Sequence, residues 1–90
     1  MLKEFLYENM IYPEGPRDMG IQGEVKVGFV VDNNGRIKDV RTIKTSGNSE
    51  LDKEAMRVIK KTSGKWKPGK INGKAVNTQM TLPITFQIDE

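Results

Sequence analysis

An α+β two-layer sandwich is the fold this sequence predicts, a three-stranded antiparallel sheet with one main helix on one face. Three observations lead to it. Residues 23–32 and 76–88 alternate apolar and polar side chains with period two, the mark of strands with one buried and one wet face. Residues 48–64 carry Leu51, Ala55, Val58, Ile59 and Thr62 at i, i+4, i+7, i+8 and i+11, a single helical stripe. Pro83 stands inside the last strand, and a residue without an N–H is excluded from central strands. That strand therefore lies on an edge.

The elements follow in order. Residues 1–10 read as a short helix through Leu2, Phe5, Leu6 and Met10, closed before Tyr12-Pro13 because the residue before proline avoids helical backbone. Residues 14–20 hold Gly15, Pro16 and Gly20 and read as a connecting loop. The first strand, 23–32, puts Val25, Val27, Phe29 and Val31 on one face, with Val30 making the other partly apolar. Asn33-Asn34-Gly35 tolerates positive φ and predicts a hairpin into a second strand over 36–45. There Ile37, Val40 and Ile43 are three apart, which no flat strand satisfies. A three-residue loop sets Ile37 opposite Val31, and a bulge near Lys38-Asp39 then brings Val40 opposite Phe29.

Asn48 or Ser49 caps the main helix, with Asp52 near the capping-box position if Ser49 is the cap. Lys60 and Lys61 complement the helix dipole in the last turn, and Gly64 marks the stop. Residues 65–74 read as a loop holding the sole tryptophan, Trp66, then Pro68-Gly69 and Asn72-Gly73. The helix returns the chain so that the third strand pairs antiparallel with the first. The sheet order is 2-1-3, with the valine-rich strand central. The chain forms one domain over 1–90, with a helix and loop over 1–21 and a β-β-α-β core over 22–90.

The edge strand carries the functional expectation. Its apolar residues are Val76, Met80, Leu82, Ile84, Phe86 and Ile88, with Thr78 as the exception. Side-chain direction and hydrogen-bonding direction alternate together, so Pro83 belongs to the set that has no partner within the domain. Gln79, Thr81, Thr85, Gln87 and Asp89 then form an open rim, and an open rim invites another chain.

Composition narrows the function classes. Ninety residues with 36% hydrophobic content build one thin core. Without cysteine there is no disulfide, thiolate nucleophile or sulfur ligand. Without histidine the commonest general base is missing, and Ser46, Ser49 and Ser63 have no base to activate them. The expectation is a non-catalytic chain with no cofactor and no metal. Gly20 and Gly23 precede a strand rather than a helix, so no phosphate loop forms. No run approaches the roughly 20 apolar residues of a membrane span, and the N-terminus lacks a signal-peptide core. The domain is thus expected to be cytosolic, or excised from a longer chain with its own anchor.

Arg57, Lys60, Lys61, Lys65, Lys67, Lys70 and Lys74 follow one another with no acid between them. They read either as a solvated helix end and loop, or as a basic patch, Lys65 to Lys74, for an anionic partner. Nucleic acid is not expected, because Asn77, Gln79, Thr81 and Thr85 offer the sheet face no aromatic for stacking. Trp66 reads either as an exposed anchor or as a cover over a thin patch of sheet, with Gly28 a candidate site.

Tyr12-Pro13, then 20–27 (Gly-Ile-Gln-Gly-Glu-Val-Lys-Val) running into Phe29-Val30-Val31-Asp32, open an ordered set of short motifs. Gly35-Arg36-Ile37, Asp39-Val40, Leu51-Asp52-Lys53-Glu54-Ala55, Trp66-Lys67-Pro68-Gly69-Lys70 and Leu82-Pro83-Ile84-Thr85-Phe86 complete it. With this set the chain resembles, over residues 9–88, the C-terminal domain of the TonB family of energy transducers. The resemblance implies a periplasmic domain of an inner-membrane-anchored parent. It would capture an extended segment of an outer-membrane transporter by strand addition to the last strand and transmit inner-membrane energy to it. Asn9 and Tyr12 join the rim residues as expected partner contacts, although Tyr12-Pro13 also reads simply as a turn that buries a ring. Other expectations are a protein-interaction or cell-wall-binding domain ending a membrane sensor or peptidase-like protein, with glycan as a secondary contact, and a homodimer through paired edges.

Overall fold

The structure, a computed structural model, describes residues 2–88. It contains α1 (Leu2–Asn9), α2 (Glu14–Asp18), β1 (Gly23–Val31), β2 (Ile37–Lys44), α3 (Ser49–Lys60), β3 (Gly69–Ile71), β4 (Lys74–Val76) and β5 (Thr78–Phe86). The main sheet has the order β2-β1-β5, antiparallel throughout, so the expected α+β sandwich and its strand order hold. Val25, Val27, Phe29 and Val31 of β1 face α3, where they meet Leu51, Ala55, Val58 and Ile59, all buried. Ile84 and Phe86 of β5 and Leu6 of α1 close that core.

Asn48 is the α3 cap, its Oδ1 accepting from the N–H groups of Glu50 (2.9 Å) and Leu51 (3.1 Å). Asp52 therefore is no capping-box acid. Its carboxylate instead gathers the preceding loop, accepting from Ser46 N (3.0 Å), Ser46 Oγ (2.8 Å) and the Thr45 hydroxyl. Thr62 ends the buried stripe with its hydroxyl spent, donating to Ile59 O (2.6 Å) and accepting from Trp66 Nε1 (2.6 Å).

The β1–β2 hairpin has the expected three-residue loop, with Val31 opposite Ile37. Asp32 Oδ1 ties the turn by accepting from Asn34 N (2.8 Å) and Arg36 N (2.9 Å). Gly35 is required there, since its φ is +80° and a Cβ would stand 2.3 Å from the Trp66 carbonyl oxygen. The register breaks between Gly28 and Val30, where Asp39 takes φ +54°, so the expected bulge exists. A second irregularity, between Lys26 and Val27, leaves Ile43 as an extra residue. Ile37 and Val40 thus pack on the core, whereas Ile43 lies on the opposite face across Gly28.

Three expected elements change. Residues 14–20 contain α2 rather than a plain loop. Pro16, buried in its first turn, lacks only an N–H that has no intrahelical partner there. Gly20 (φ +70°) closes α2 with bonds from Gly20 N to Arg17 O (3.1 Å) and Ile21 N to Pro16 O (2.8 Å), a Schellman stop. The 65–74 loop contains β3, which forms a hairpin with β4 through Asn72-Gly73, both at positive φ. The single strand over 76–88 is therefore two, β4 and β5, parted at Asn77, whose side chain accepts from Asn33 N (3.1 Å). Trp66 does not cover Gly28: it packs on Phe29 of the core face, ring centroids 5.4 Å apart, and Gly28 lies beneath Ile43.

Candidate partner-binding edge

β5 pairs with β1 through nine consecutive residues without a register shift, and β1 is its only sheet neighbour among the described residues. Lys26 stands opposite Pro83 and Glu24 opposite Thr85. Pro83 has no N–H to offer β1, and Thr85 N donates away from the sheet, to the Tyr7 hydroxyl (3.3 Å). Two residues that cannot or do not bond inward fix the alternation: Gln79, Thr81 and Thr85 aim their backbone groups outward. All three are exposed along the outer margin of β5. Gln87 is exposed just past the end of β5, and Asp89 lies outside the described residues. Ile88 N donates to Gln22 Oε1 (2.7 Å), keeping the chain after β5 beside the start of β1.

The rim is not bare. α1 runs beside it and places Tyr7 on Thr85, while Leu6, 5% exposed, enters the core. A mainly apolar groove of about 390 Å³ lies between Leu6, Tyr7, Trp66, Leu82, Pro83 and Ile84, with Lys3 at its lining. Lys3, Leu6 and Tyr7 at i, i+3 and i+4 share one helix face, but that spacing does not say what the face comes to rest on.

The end of α1 is clamped to α3. Arg57 and Glu54 form a two-pronged ion pair (2.6 and 2.7 Å), and Arg57 Nη2 also donates to Asn9 O (2.9 Å). Glu54 Oε2 accepts from Ile11 N (2.6 Å). Burial alone would raise the Glu54 pKa, but the bonds from Arg57 and Ile11 N–H and the charges of Arg57 and Lys61 outweigh it, and the net shift is downward. Hydrogen bonding to Glu54 raises Arg57 in return. Asn9 Nδ2 donates back to Phe5 O (2.8 Å). The Tyr12 ring stands edge-on to Phe86 (5.5 Å) and its hydroxyl donates to Ile21 O, so this tyrosine is half-buried.

The basic segment separates into two parts. Lys65 Nζ rests 4.7 Å from the centroid of Phe5 and so belongs to the α1 contact. Lys67, Lys70 and Lys74 are exposed, the last two on the β3–β4 hairpin, where Ile71 is 63% exposed.

The geometry defines a class: an open-faced α+β sandwich with one straight, unpaired edge. Among the described residues no cluster of acidic side chains is assembled to hold a metal. The chain belongs to the family described as Gram-negative bacterial TonB protein C-terminal, whose sequence profile matches residues 8–88. It is 29% identical over 91 residues to Protein TonB of Pseudomonas aeruginosa, taking in 99% of this chain and 25% of that protein. It is 32% identical over 78 residues to Protein TonB of Xanthomonas campestris, 87% of this chain and 34% of the relative. The chain thus spans a quarter to a third of the length of these relatives. Among solved structures, the solution structure of Helicobacter pylori TonB-CTD superposes with a TM-score of 0.81 over 99% of this chain and 78% of that one. At 23% identity that likeness shows the fold. Pseudomonas aeruginosa TonB CTD gives 0.68 at 30% identity, over 89% of this chain and 79% of that chain.

Proposed function

We propose that this domain captures an extended segment of an outer-membrane transporter as a fourth strand on β5 and passes to it energy drawn from the inner membrane. The observation that carries the proposal is the outward Thr85 N–H on a nine-residue edge without a bulge. A straight edge offers main-chain bonds in an unbroken frame, and side chains on either face then select the sequence. Family membership supports the energy-transducing role and a periplasmic setting, in a parent protein anchored in the inner membrane. No described helix is long and apolar enough to cross a membrane. Lys67, Lys70 and Lys74 steer the encounter, since exposed charges act over roughly 8 Å at physiological salt and change association more than affinity.

Amide NMR titration with periplasmic segments of outer-membrane transporters from the same genome tests the proposal. Shifts are expected to concentrate at residues 79–81 and 85–87, with Tyr7 responding because its hydroxyl is displaced. Shifts confined to residues 65–74 would refute it.

A further inference from the structure

The sheet face turned away from α3 carries a feature that the edge does not use. Three cations of β2, Lys38, Arg41 and Lys44, are spaced three apart in sequence, a period that should scatter them over both faces of a strand. The two register shifts undo the scatter. Lys38 stands opposite Val30, Arg41 opposite Gly28 and Lys44 opposite Lys26, and all three β1 partners belong to the set facing away from α3. Opposed residues share a face. Arg41 shows this directly, with Cζ 3.5 Å from the position of a Cβ on Gly28. Thr42, opposite Val27, points the other way, to Met56 of α3 (3.7 Å).

The result is a column of cations at intervals of about 7 Å, two residues of strand rise. Lys26 stands beside its end, and Ile43, 51% exposed, lies in the middle across Gly28. Neither the lysines nor Arg41 joins a salt bridge among the described residues. Asp32, within electrostatic reach of Lys38, Asp39 in the bulge and Glu24 at the far end are the nearby acids, and against Lys26, Lys38, Arg41 and Lys44 they leave the face net positive by one charge. Arg41 Nη1 donates to Asp39 O (3.0 Å), which fixes the guanidinium beside the bulge.

We infer that this face docks on an anionic phospholipid surface. A cationic face with an exposed aliphatic at its centre fits headgroups and the acyl boundary just beneath them. Sugars and bases are gripped by stacking rings, and this face has none. An extended peptide uses an edge, not a face. The β5 rim lies in the plane of the sheet, so it stays accessible while the face is docked.

The test is co-sedimentation of the domain with vesicles of equal parts phosphatidylcholine and phosphatidylglycerol, against phosphatidylcholine alone, at physiological salt. Each cation near such a surface multiplies partitioning by roughly five. Replacing Lys38, Arg41 and Lys44 together by serine should therefore lower binding about a hundredfold. Replacing Lys67, Lys70 and Lys74 by serine should lower it less than tenfold. Equal losses in the two triple variants, or equal binding to both vesicle types, would overturn the inference. A nitroxide lipid gives a readout on the unaltered protein. Amide broadening is expected at Lys26 and over 41–44, and broadening confined to 65–74 overturns the inference. Binding to soluble dextran sulfate without binding to the vesicles also overturns it.

Discussion

Pro83→Thr adds one N–H donor to the rim and exchanges a ring that lines the groove for a β-branched side chain. In the native edge the outward donors are Gln79, Thr81 and Thr85, which leaves a gap of about 14 Å between Thr81 and Thr85, four residues of strand rise. Threonine restores the missing N–H at the centre of that gap. Position 83 stands opposite Lys26 on the open face and is exposed, so the β-favourable side chain displaces nothing from the core. One added backbone hydrogen bond is worth about 0.5–1.5 kcal/mol net, so an added strand should bind about two- to tenfold more tightly. The unfolded chain gains freedom when proline is lost, which costs about 0.4–1 kcal/mol. For a domain of this size that lowers the melting temperature by roughly 2–8 °C. Calorimetric titration with the transporter segment, thermal melts and sedimentation velocity read the three quantities. The variant should bind more tightly, melt earlier and self-associate more. If it binds no better and stays as monomeric as the parent, Pro83 does not face the site and the edge argument fails.

Tyr7→Phe removes the hydroxyl that accepts from Thr85 N, so titration should show segment affinity rising up to about twofold, with little change in stability because that bond is exposed. Gly35→Ala combines the left-handed cost of about 1–2 kcal/mol with a backbone clash at 2.3 Å, and urea denaturation should show a loss of about 2–5 kcal/mol. Gly64→Ala, at φ +86° with open space around it, should lose only about 1–2 kcal/mol. Asp32, Asp52 and Glu54 all have folded-state pKa values below their ordinary 3.8 and 4.5. For Asp32 the cause is foremost the Arg36 N–H. For Asp52 the bonds from Thr45 and Ser46 outweigh the upward push of burial. Their stabilisation is complete above those ordinary values and is lost as pH falls through the lower folded ones. Melts followed from neutral to strongly acid pH should drop in that window, and Asp52→Asn should shrink the drop.

Much of the fold was legible because burial writes itself into period. The alternation over β1 and the stripe on α3 named the core face and its cover, and Pro83 named the edge. Alternation reports which face a residue takes, not which strand it pairs with. The pattern over 76–88 therefore ran unbroken through Asn77, although β4 and β5 have different partners. Asn72-Gly73 signalled a turn, but the flanking strands of three residues are too short to show a period. The irregular Ile37, Val40, Ile43 spacing announced one bulge and concealed the other, since a second slip sends Ile43 to the face where apolar residues are not expected. At the candidate site the edge position of β5 could be read from one strand alone. The Tyr7 cap and the groove could not, because they depend on where a separate helix comes to rest.

The two margins of this sheet are unlike. β2 is broken twice and lined with cations, while β5 is straight for nine residues. Hydrogen-bonded growth needs a continuous ladder, so the sheet can lengthen sideways on one side only. Such a molecule has a valence of one. A strand seated on β5 uses it up, and a second copy pairing through the same margin leaves only the two broken β2 margins exposed. Growth of the main sheet edge to edge would therefore stop at two copies.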